Sequence, residues 1–304
     1  MQKYSRKNFL RQGSLLVGGA IALSSFSSKK YRPKLAFSTL GCPDWDMERI
    51  TSFAKQHGYS GIEVRGIKRQ MDLVKSPVFE SAESRKRTME LMKRNGLQFV
   101  GLGSSSTLHF KASPERSKQL DEGKRFIDLA QQINCPYVRV FPNNFPKDQS
   151  REETFDLITK GLLELGEHAK GSSVTVLMET HGDLVKSEDL LRLMTSAEHK
   201  HVGLVWDPTN MWTITNEDPD EMYRNIKPYI RHIHVKDCTK GTEKMNYTFL
   251  TKGEVPIMKA VDLLAKDNYK GFFSFEWEKL WHPELPEPEL ALADFPKVMN
   301  QHFR

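Results

Sequence analysis

The sequence has few cysteines, and it lacks long apolar runs after residue 30. Cys42, Cys135 and Cys238 are an odd number at wide spacing in 304 residues, which excludes the disulfide framework of small secreted proteins. Without a long apolar run, no stable membrane span is expected in the main part of the chain. With 38% hydrophobic and 28% charged residues, the composition is that of a folded protein and not of a disordered one.

Acidic residues are missing from the start of the chain, where the first one is Asp44. Eight of the 45 lysines and arginines precede it, which leaves 37 basic against 39 acidic residues in the rest of the chain. The formal net charge of +6 therefore comes from the N-terminal segment, and the remainder is close to neutral. A nearly neutral body offers no basic surface to a phosphate backbone, so nucleic acid is not an expected partner.

Residues 1–30 have the composition of an export signal. The basic string SRKNFLR (residues 5–11) precedes an uncharged apolar segment, residues 13–26, which is too short for a stable transmembrane span. The pattern resembles a twin-arginine signal with Lys7 in place of the second arginine, and it predicts a periplasmic or exported protein. If the signal does not function, the protein would stay in the cytoplasm. The alternative interpretation of residues 1–30 is an uncleaved disordered or anchoring tail. We expect one folded domain over residues 31–304.

From residue 33 onward, short apolar runs alternate with longer segments of helical character. Eight runs are predicted to be strands, at residues 35–40, 61–64, 98–102, 137–141, 174–178, 202–206, 230–235 and 271–275. Helices are predicted at residues 45–57, 82–95, 114–133, 152–170, 187–198 and 256–266. Ser187 is a predicted N-cap, and Asn95-Gly96 and Lys170-Gly171 are predicted helix ends. Eight units without a G-x-G-x-x-G turn after the first strand predict an α/β fold, a single (β/α)8 TIM barrel.

In such a barrel, catalytic side chains lie at the C-terminal ends of the strands. Period-2 alternation directs Glu179, Asp207, His234 and Glu276, from the fifth to the eighth predicted strands, inward at that end. Three carboxylates would repel one another without a cation, and this ligand set suits one Mn²⁺, Mg²⁺, Zn²⁺ or Fe²⁺ ion. The absence of a thiolate argues against a structural zinc site. The alternative is a network of ion pairs with Lys236 and Arg65.

Several short strings resemble those of a known family. They are FSTLGCPD (37–44), GYSGIEVR (58–65), LMETH (177–181), VWDPTN (205–210), RHIHVKD (231–237) and FSFEWE (273–278). In order and spacing they resemble the sugar phosphate isomerase/epimerase superfamily of xylose isomerase-like TIM barrels (AP endonuclease family 2). The resemblance implies Glu179, Asp207, His234 and Glu276 as metal ligands, with Glu179 and Glu276 as catalytic proton carriers. Asn210 stands where epimerases and endonuclease IV commonly have a histidine, and this difference argues against DNA repair.

The resemblance predicts a metal-dependent sugar isomerase or epimerase that acts through an enediolate. A divalent ion would stabilise the enediolate, and a glutamate with a raised pKa would take the proton. The alternatives are a metal-dependent sugar lyase or dehydratase on the same barrel and a non-catalytic sugar-binding barrel. With no basic phosphate cradle evident in the sequence, the expected substrate is an unphosphorylated sugar or keto-sugar. The sequence is also compatible with a homo-oligomer.

Further polar residues near the predicted strand ends are candidates for substrate binding. They are Glu63, Arg65, His109, His181, Asn210 and Lys236. The alternative for Glu63 and Arg65 is an internal ion pair. The alternative for His109 is a surface position, and that for Lys236 is to balance the charge of the carboxylates.

For a second histidine and three tryptophans, the sequence predicts either positions away from the substrate or a stacking contact at the mouth. His232 is expected inside the barrel, one layer below His234. Trp206 and Trp277 alternate toward the helices and should pack there, whereas Trp281 follows the last strand and should stack on a sugar face.

Overall fold

The alternation of strands and helices predicted from the sequence is present in the computed structural model, which describes residues 30–241 and 245–304. The predicted export signal, apart from residue 30, lies outside the described residues. The strands are β1 (Lys34–Ser38), β2 (Gly61–Val64), β3 (Gln98–Thr107), β4 (Tyr137–Phe141), β5 (Thr175–Glu179), β6 (Val202–Trp206), β7 (Ile230–Val235), β8 (Asp237–Lys240), β9 (Met245–Thr248) and β10 (Phe272–Phe275). The helices are α1 (Met47–Gln56), α2 (Ala82–Arg94), α3 (Pro114–Gln132), α4 (Arg151–His168), α5 (Ser187–Ser196), α6 (Pro208–Thr215), α7 (Pro219–Ile226), α8 (Ile257–Lys266) and α9 (Pro288–His302).

Eight of these strands form a closed parallel barrel. Their order around the barrel is β1-β10-β7-β6-β5-β4-β3-β2, and β1 pairs in parallel with both β10 and β2 to close it. The remaining two strands, β8 and β9, form an antiparallel hairpin after β7. The predicted α/β class and the single (β/α)8 barrel are confirmed. No helix in the described part of the chain is both long and apolar enough to cross a bilayer.

The hydrophobic core lies between the barrel and its ring of helices. Trp206 and Trp277 are buried, as the alternation of the sequence predicts. The Phe275 ring stacks on Trp277 and on Phe295 of α9, with ring centroids 6.0 and 4.8 Å apart. These contacts hold the last barrel strand against the last helix, and thereby hold the segment that carries Glu276.

The predicted strands and helices begin and end within two residues of the observed ones, except at the end of β3, and the capping of α5 also differs from the prediction. Ser187 is not an N-cap: α5 begins at Ser187, Lys186 precedes it without a capping hydrogen bond, and Glu217 accepts hydrogen bonds from the Ser187 N–H and hydroxyl. A carboxylate distant in sequence therefore replaces the local cap. Strand β3 continues to Thr107, because Thr107 resumes the pairing with β4 at Phe141. The predicted helix end at Asn95 is confirmed, with Gly96 at φ +69°.

Candidate metal centre

Four side chains from successive barrel strands converge at the C-terminal mouth of the barrel. Glu179, Asp207, His234 and Glu276 each offer a ligand atom within 4.8 Å of the others, and all four are buried. His234 Nδ1 lies 3.7 Å from Glu179 Oε1, 3.8 Å from Asp207 Oδ2 and 3.4 Å from Glu276 Oε2. The structure thus brings together the four residues that the sequence predicts as metal ligands.

The local structure after β6 directs Asp207 toward this cluster. Asp207 is the N-cap of α6, where its Oδ1 accepts a hydrogen bond from the Asn210 N–H at 2.9 Å. Its own N–H donates to Thr180 Oγ1 at 2.9 Å, and Pro208 begins the helix. Because one carboxylate oxygen caps the helix, the other oxygen, Oδ2, is left to face His234.

Glu63 supports His234 from below. Its Oε1 lies 2.9 Å from His234 Nε2, and its Oε2 lies 2.9 Å from His232 Nε2 and accepts from the Ser274 hydroxyl at 2.7 Å. Burial would raise the pKa of Glu63, but His234 and His232 outweigh it and hold that pKa well below its ordinary value. An ionised carboxylate only accepts hydrogen bonds, so His234 Nε2 carries a proton, and Nδ1 faces the cluster. Burial would lower the pKa of His234, but Glu276, Glu63 and Glu179 outweigh it and hold that pKa well above its ordinary value.

Two cationic side chains neutralise part of the cluster. Lys236 Nζ lies 2.9 Å from Asp207 Oδ2, 2.7 Å from Glu276 Oε2 and 2.8 Å from Glu278 Oε1. Arg139 Nε lies 3.2 Å from Glu179 Oε2. The predicted ion pairs with Lys236 are therefore present, but Arg65 makes none of the ion pairs found among the described residues.

Charge and burial set the protonation of the carboxylates. Burial would raise the pKa of Glu179, but Arg139 lowers it below its ordinary value. Burial would also raise the pKa of Glu276, but His234 and Lys236 lower it below its ordinary value. The predicted glutamate with a raised pKa is therefore wrong for these two residues, which are ionised at neutral pH. Burial raises the pKa of Glu278 to about 7.

The donor set fits a divalent cation. Glu179 Oε2, Asp207 Oδ2 and His234 Nδ1 are buried, and among the described residues none of them makes a well-aligned hydrogen bond, although Arg139 Nε and Lys236 Nζ lie 3.2 and 2.9 Å from the two carboxylate oxygens. The cluster and its partners contain five buried carboxylates, which are Glu63, Glu179, Asp207, Glu276 and Glu278. Three buried cationic side chains lie at the mouth, which are Arg65, Arg139 and Lys236. A histidine that binds a metal ion through Nδ1 must be neutral, and with neutral histidines the difference is two negative charges. One divalent ion would balance them, and three carboxylates with one imidazole suit Mn²⁺, Mg²⁺, Zn²⁺ or Fe²⁺.

A cavity of about 360 Å³ opens above this cluster. Of the predicted site residues, those that line it are Arg65, Glu179, His181, Asn210, Lys236 and Glu276. Trp281 and His282 also line it, and the Trp281 side chain is 57% exposed. An exposed indole at the mouth suits the predicted stacking position.

Two residues predicted to bind substrate do not line this cavity. Glu63 contacts two histidines beneath the cluster, which is the internal ion pair named as the alternative for this residue. The partners are histidines and not Arg65. His109 is half-buried, with Nδ1 3.1 Å from the carbonyl oxygen of Pro142. The prediction of direct substrate contact is corrected for Glu63, whose two oxygens are occupied by His232, His234 and Ser274, whereas that for His109 stays a prediction.

The cavity also contains residues that the sequence analysis did not select. Arg139, Phe141, Tyr247 and Glu278 line it. Arg139 shares the inward face of β4 with Tyr137 and Phe141, and Glu278 follows Glu276 at the same spacing, so alternation could have found both. Tyr247 lies on the β8–β9 hairpin, for which the sequence has no periodic signal.

Comparisons with known proteins agree with the barrel fold. A family profile described as "Xylose isomerase-like TIM barrel" matches residues 52–298. Inosose dehydratase from Clostridium botulinum (strain Eklund 17B / Type B) is 25% identical over 159 residues, which are 47% of this chain and 52% of that protein. The chain spans between about half and two thirds of the length of the curated relatives it matches.

Solved structures share the fold. The structure of IolI protein with a bound zinc atom has a TM-score of 0.73 at 16% identity, over 89% of this chain and 97% of that one. The apo structure of 3-keto-D-glucoside 4-epimerase, YcjR, from E. coli has a TM-score of 0.71 at 14% identity, over 89% of this chain and 100% of that one. At such identities the likeness is one of fold.

Proposed function

The chain belongs to the xylose isomerase-like TIM barrel family, and from that premise we propose that it is a divalent-metal-dependent sugar isomerase or epimerase. Its substrate would be a sugar or keto-sugar that loses the proton beside its carbonyl group to form an enediolate. The observation that carries the proposal is the buried cluster of Glu179, Asp207, His234 and Glu276 beneath the 360 Å³ cavity.

The four residues of the cluster would hold the metal ion. Bound there, a divalent ion would act as a Lewis acid toward the carbonyl and neighbouring hydroxyl oxygens of the sugar. The IolI structure contains a zinc atom. Manganese, magnesium and iron also suit a site of three carboxylates and one imidazole. His234 would reach the ion through Nδ1, because Glu63 holds the proton of the imidazole on Nε2.

Glu179 and Glu276 would transfer the protons. Both line the cavity, and both are ionised, so each can accept a proton without first losing one. They lie at the ends of β5 and β10, with β6 and β7 between them in the barrel. A proton removed by one glutamate can thus be returned by the other from a different direction, which is what inversion at carbon requires. Lys236, in contact with Glu276, would stabilise negative charge on a substrate oxygen.

Dehydration is the second candidate function, and the inosose dehydratase relative favours it. The same removal of a proton beside the carbonyl would then be followed by breakage of the bond to the β-hydroxyl group, which leaves as water once it is protonated. Glu278 supports this candidate, because it is a third carboxyl group on the cavity wall that epimerisation does not need.

Product analysis separates the two reactions. The protein, supplied with Mn²⁺, Zn²⁺, Mg²⁺ or Fe²⁺, is incubated with unphosphorylated sugars and keto-sugars, an inosose among them, in D2O, and the products are followed by NMR. Isomerisation or epimerisation keeps every heavy atom of the sugar and introduces deuterium beside the carbonyl, whereas dehydration removes water.

Glu179→Gln is the matching test of the proton carrier. We expect this variant to fold, as its circular dichroism spectrum would show, and to lose turnover by roughly 10²–10⁴-fold because the amide cannot accept the proton. Glu90→Gln, at an exposed position of α2, serves as the control and should keep full turnover. Unchanged turnover in Glu179→Gln would contradict the assigned role.

A further inference from the structure

Two buried arginines lie side by side on one wall of the cavity. Arg65 follows the last residue of β2, and Arg139 lies in β4, with β3 between them. They are 6% and 5% exposed, and both line the cavity.

Gly103 of β3 makes room for both guanidinium groups. A Cβ atom at position 103 would lie 2.7 Å from Arg65 Cδ and 2.9 Å from Arg139 Nη2, so any larger residue would displace one arginine or the other. The absence of a side chain at position 103 therefore leaves the space in which the two arginines lie side by side.

The two arginines differ in their partners. Arg139 is neutralised by Glu179 at 3.2 Å, donates to the Ser104 carbonyl at 3.1 Å and covers the Phe141 ring at 3.8 Å. Arg65 donates from Nη1 to the Gly103 carbonyl at 3.2 Å and from Nη2 to Ser105 Oγ at 3.0 Å. These bonds use two of its five N–H groups. Within the described ranges, 30–241 and 245–304, no carboxylate forms an ion pair with Arg65 at 4.0 Å or less.

A buried guanidinium without a direct ion-pair partner is costly, and Glu122, Glu179 and Glu276 act on Arg65 only from beyond 4.0 Å. Proteins bury charges almost only in pairs, and a buried charge that has lost its partner destabilises the fold. The planar fork of a guanidinium matches the two oxygens of a carboxylate or phosphate. Arg65 faces the cavity in which the substrate would bind, so the missing anion can come from the substrate.

The surrounding charges favour an anion with a single charge. Glu179 lies beside Arg139, and Glu122 accepts the Ser105 N–H at 2.6 Å, next to the Arg65 hydrogen bond. A doubly charged phosphate would be repelled by both carboxylates more strongly than a carboxylate would be.

We propose that Arg65, together with Arg139, binds the carboxylate of an acidic sugar, and that the substrate of the enzyme belongs to this class. The proposal deepens the proposed function and rests on it for the reaction at the carbonyl end of the substrate. It narrows the expected unphosphorylated sugar or keto-sugar to a sugar acid whose carboxylate lies on the β2–β4 side of the mouth.

The test measures binding and not turnover. Zinc-loaded protein is titrated with D-glucuronate, D-glucose and D-glucose 6-phosphate, and binding is followed by calorimetry and by the shift of Tm. We expect D-glucuronate to bind and to raise Tm with concentration, and the other two probes to have at most a weak effect. Arg65→Met should lower the affinity for D-glucuronate roughly tenfold to a hundredfold, the range expected for a charged hydrogen bond.

Two further variants complete the experiment. Arg65→Lys keeps the positive charge but lacks the planar guanidinium, so it should bind D-glucuronate with intermediate affinity. This variant tests the role of Arg65 if Arg65→Met does not fold. Arg87→Met, on the exposed face of α2, should bind like the unchanged protein. Equal binding of D-glucose and D-glucuronate, tighter binding of D-glucose 6-phosphate, or unchanged affinity in the Arg65 variants would overturn the proposal. Because no reaction is measured, these results are independent of whether the protein turns over any sugar.

Discussion

At the scale of single residues, the metal cluster depends on a contact between distant parts of the chain. The Glu63 carboxylate, from β2, binds His232 and His234 of β7 and the Ser274 hydroxyl of β10 with its two oxygens. These three donors fix the carboxylate, and the carboxylate in turn fixes the orientation and tautomer of His234. Glu63 is therefore a positioning residue for the metal site.

Replacing Glu63 by glutamine tests this role. The amide has one acceptor oxygen and a donor NH2 group in place of two acceptor oxygens, so it cannot satisfy both histidines. We expect Glu63→Gln to fold and to bind Zn²⁺ about 10–100-fold more weakly, measured by competition with a fluorescent zinc chelator. Glu90→Gln is again the control, and equal zinc affinity in the two variants would contradict a role for Glu63 in the site.

The sequence predicts the four cluster residues because each lies at the end of a strand with regular alternation. It does not predict the partners of those residues, since these come from strands far apart in the chain. Glu63 and Arg65 illustrate the limit. Alternation placed both inward near the end of β2, but only the closed barrel shows that Glu63 lies below His234 while Arg65 faces the cavity.

At the scale of elements, the β8–β9 hairpin forms one wall of the mouth. It carries Tyr247, whose ring lies 5.8 Å from Lys236 Nζ. The hairpin is fastened by Asp237, which accepts hydrogen bonds from the N–H groups of Cys238, Gly253 and Val255 at 2.9, 2.9 and 3.3 Å. The sequence analysis missed this element because its residues are mostly polar and lack a period of two over a sufficient length.

Gly253→Ala should loosen this attachment. A Cβ atom there would lie 2.1 Å from Asp237 Oδ1 and 2.5 Å from the Cys238 carbonyl oxygen, so the backbone must move. Overpacking of this kind costs about 1–3 kcal/mol, and we expect Tm to fall by a few degrees in a thermal melt.

Gly101→Ala is the matched control, because its Cβ atom would meet nothing closer than 3.6 Å. A Gly253→Ala variant as stable as Gly101→Ala would show that the hairpin does not depend on Asp237.

The barrel strands themselves were predicted to within a few residues, because strands buried on both faces have short apolar runs with clear ends. The exceptions have physical reasons. Serines 104–106 continue β3 although they are polar, since Ser104 donates to the Arg139 carbonyl and Ser106 to the Gln119 carbonyl. The start of α5 depends on Glu217, which no pattern near Ser187 reveals.

At the scale of the whole molecule, the fold gathers negative charge at one end of the barrel. The chain after its basic N-terminal segment is nearly neutral, yet five buried carboxylates and three buried cationic side chains meet around the mouth. With His234 in the neutral form that a metal ligand takes, the excess is two negative charges in a buried region, and this is the feature that most requires a cation. A metal ion would therefore stabilise the folded protein as well as provide its chemistry.

Metal content is the most direct test of this account. The purified protein and its Asp207→Asn variant, which keeps the oxygen that caps α6, are analysed for bound metal and melted with and without Mn²⁺, Zn²⁺, Mg²⁺ and Fe²⁺. We expect about one divalent ion per chain and a rise in Tm with that ion, both lost in the variant. No bound metal and no stabilisation by any of the four ions would contradict the metal centre, and with it the proposed chemistry.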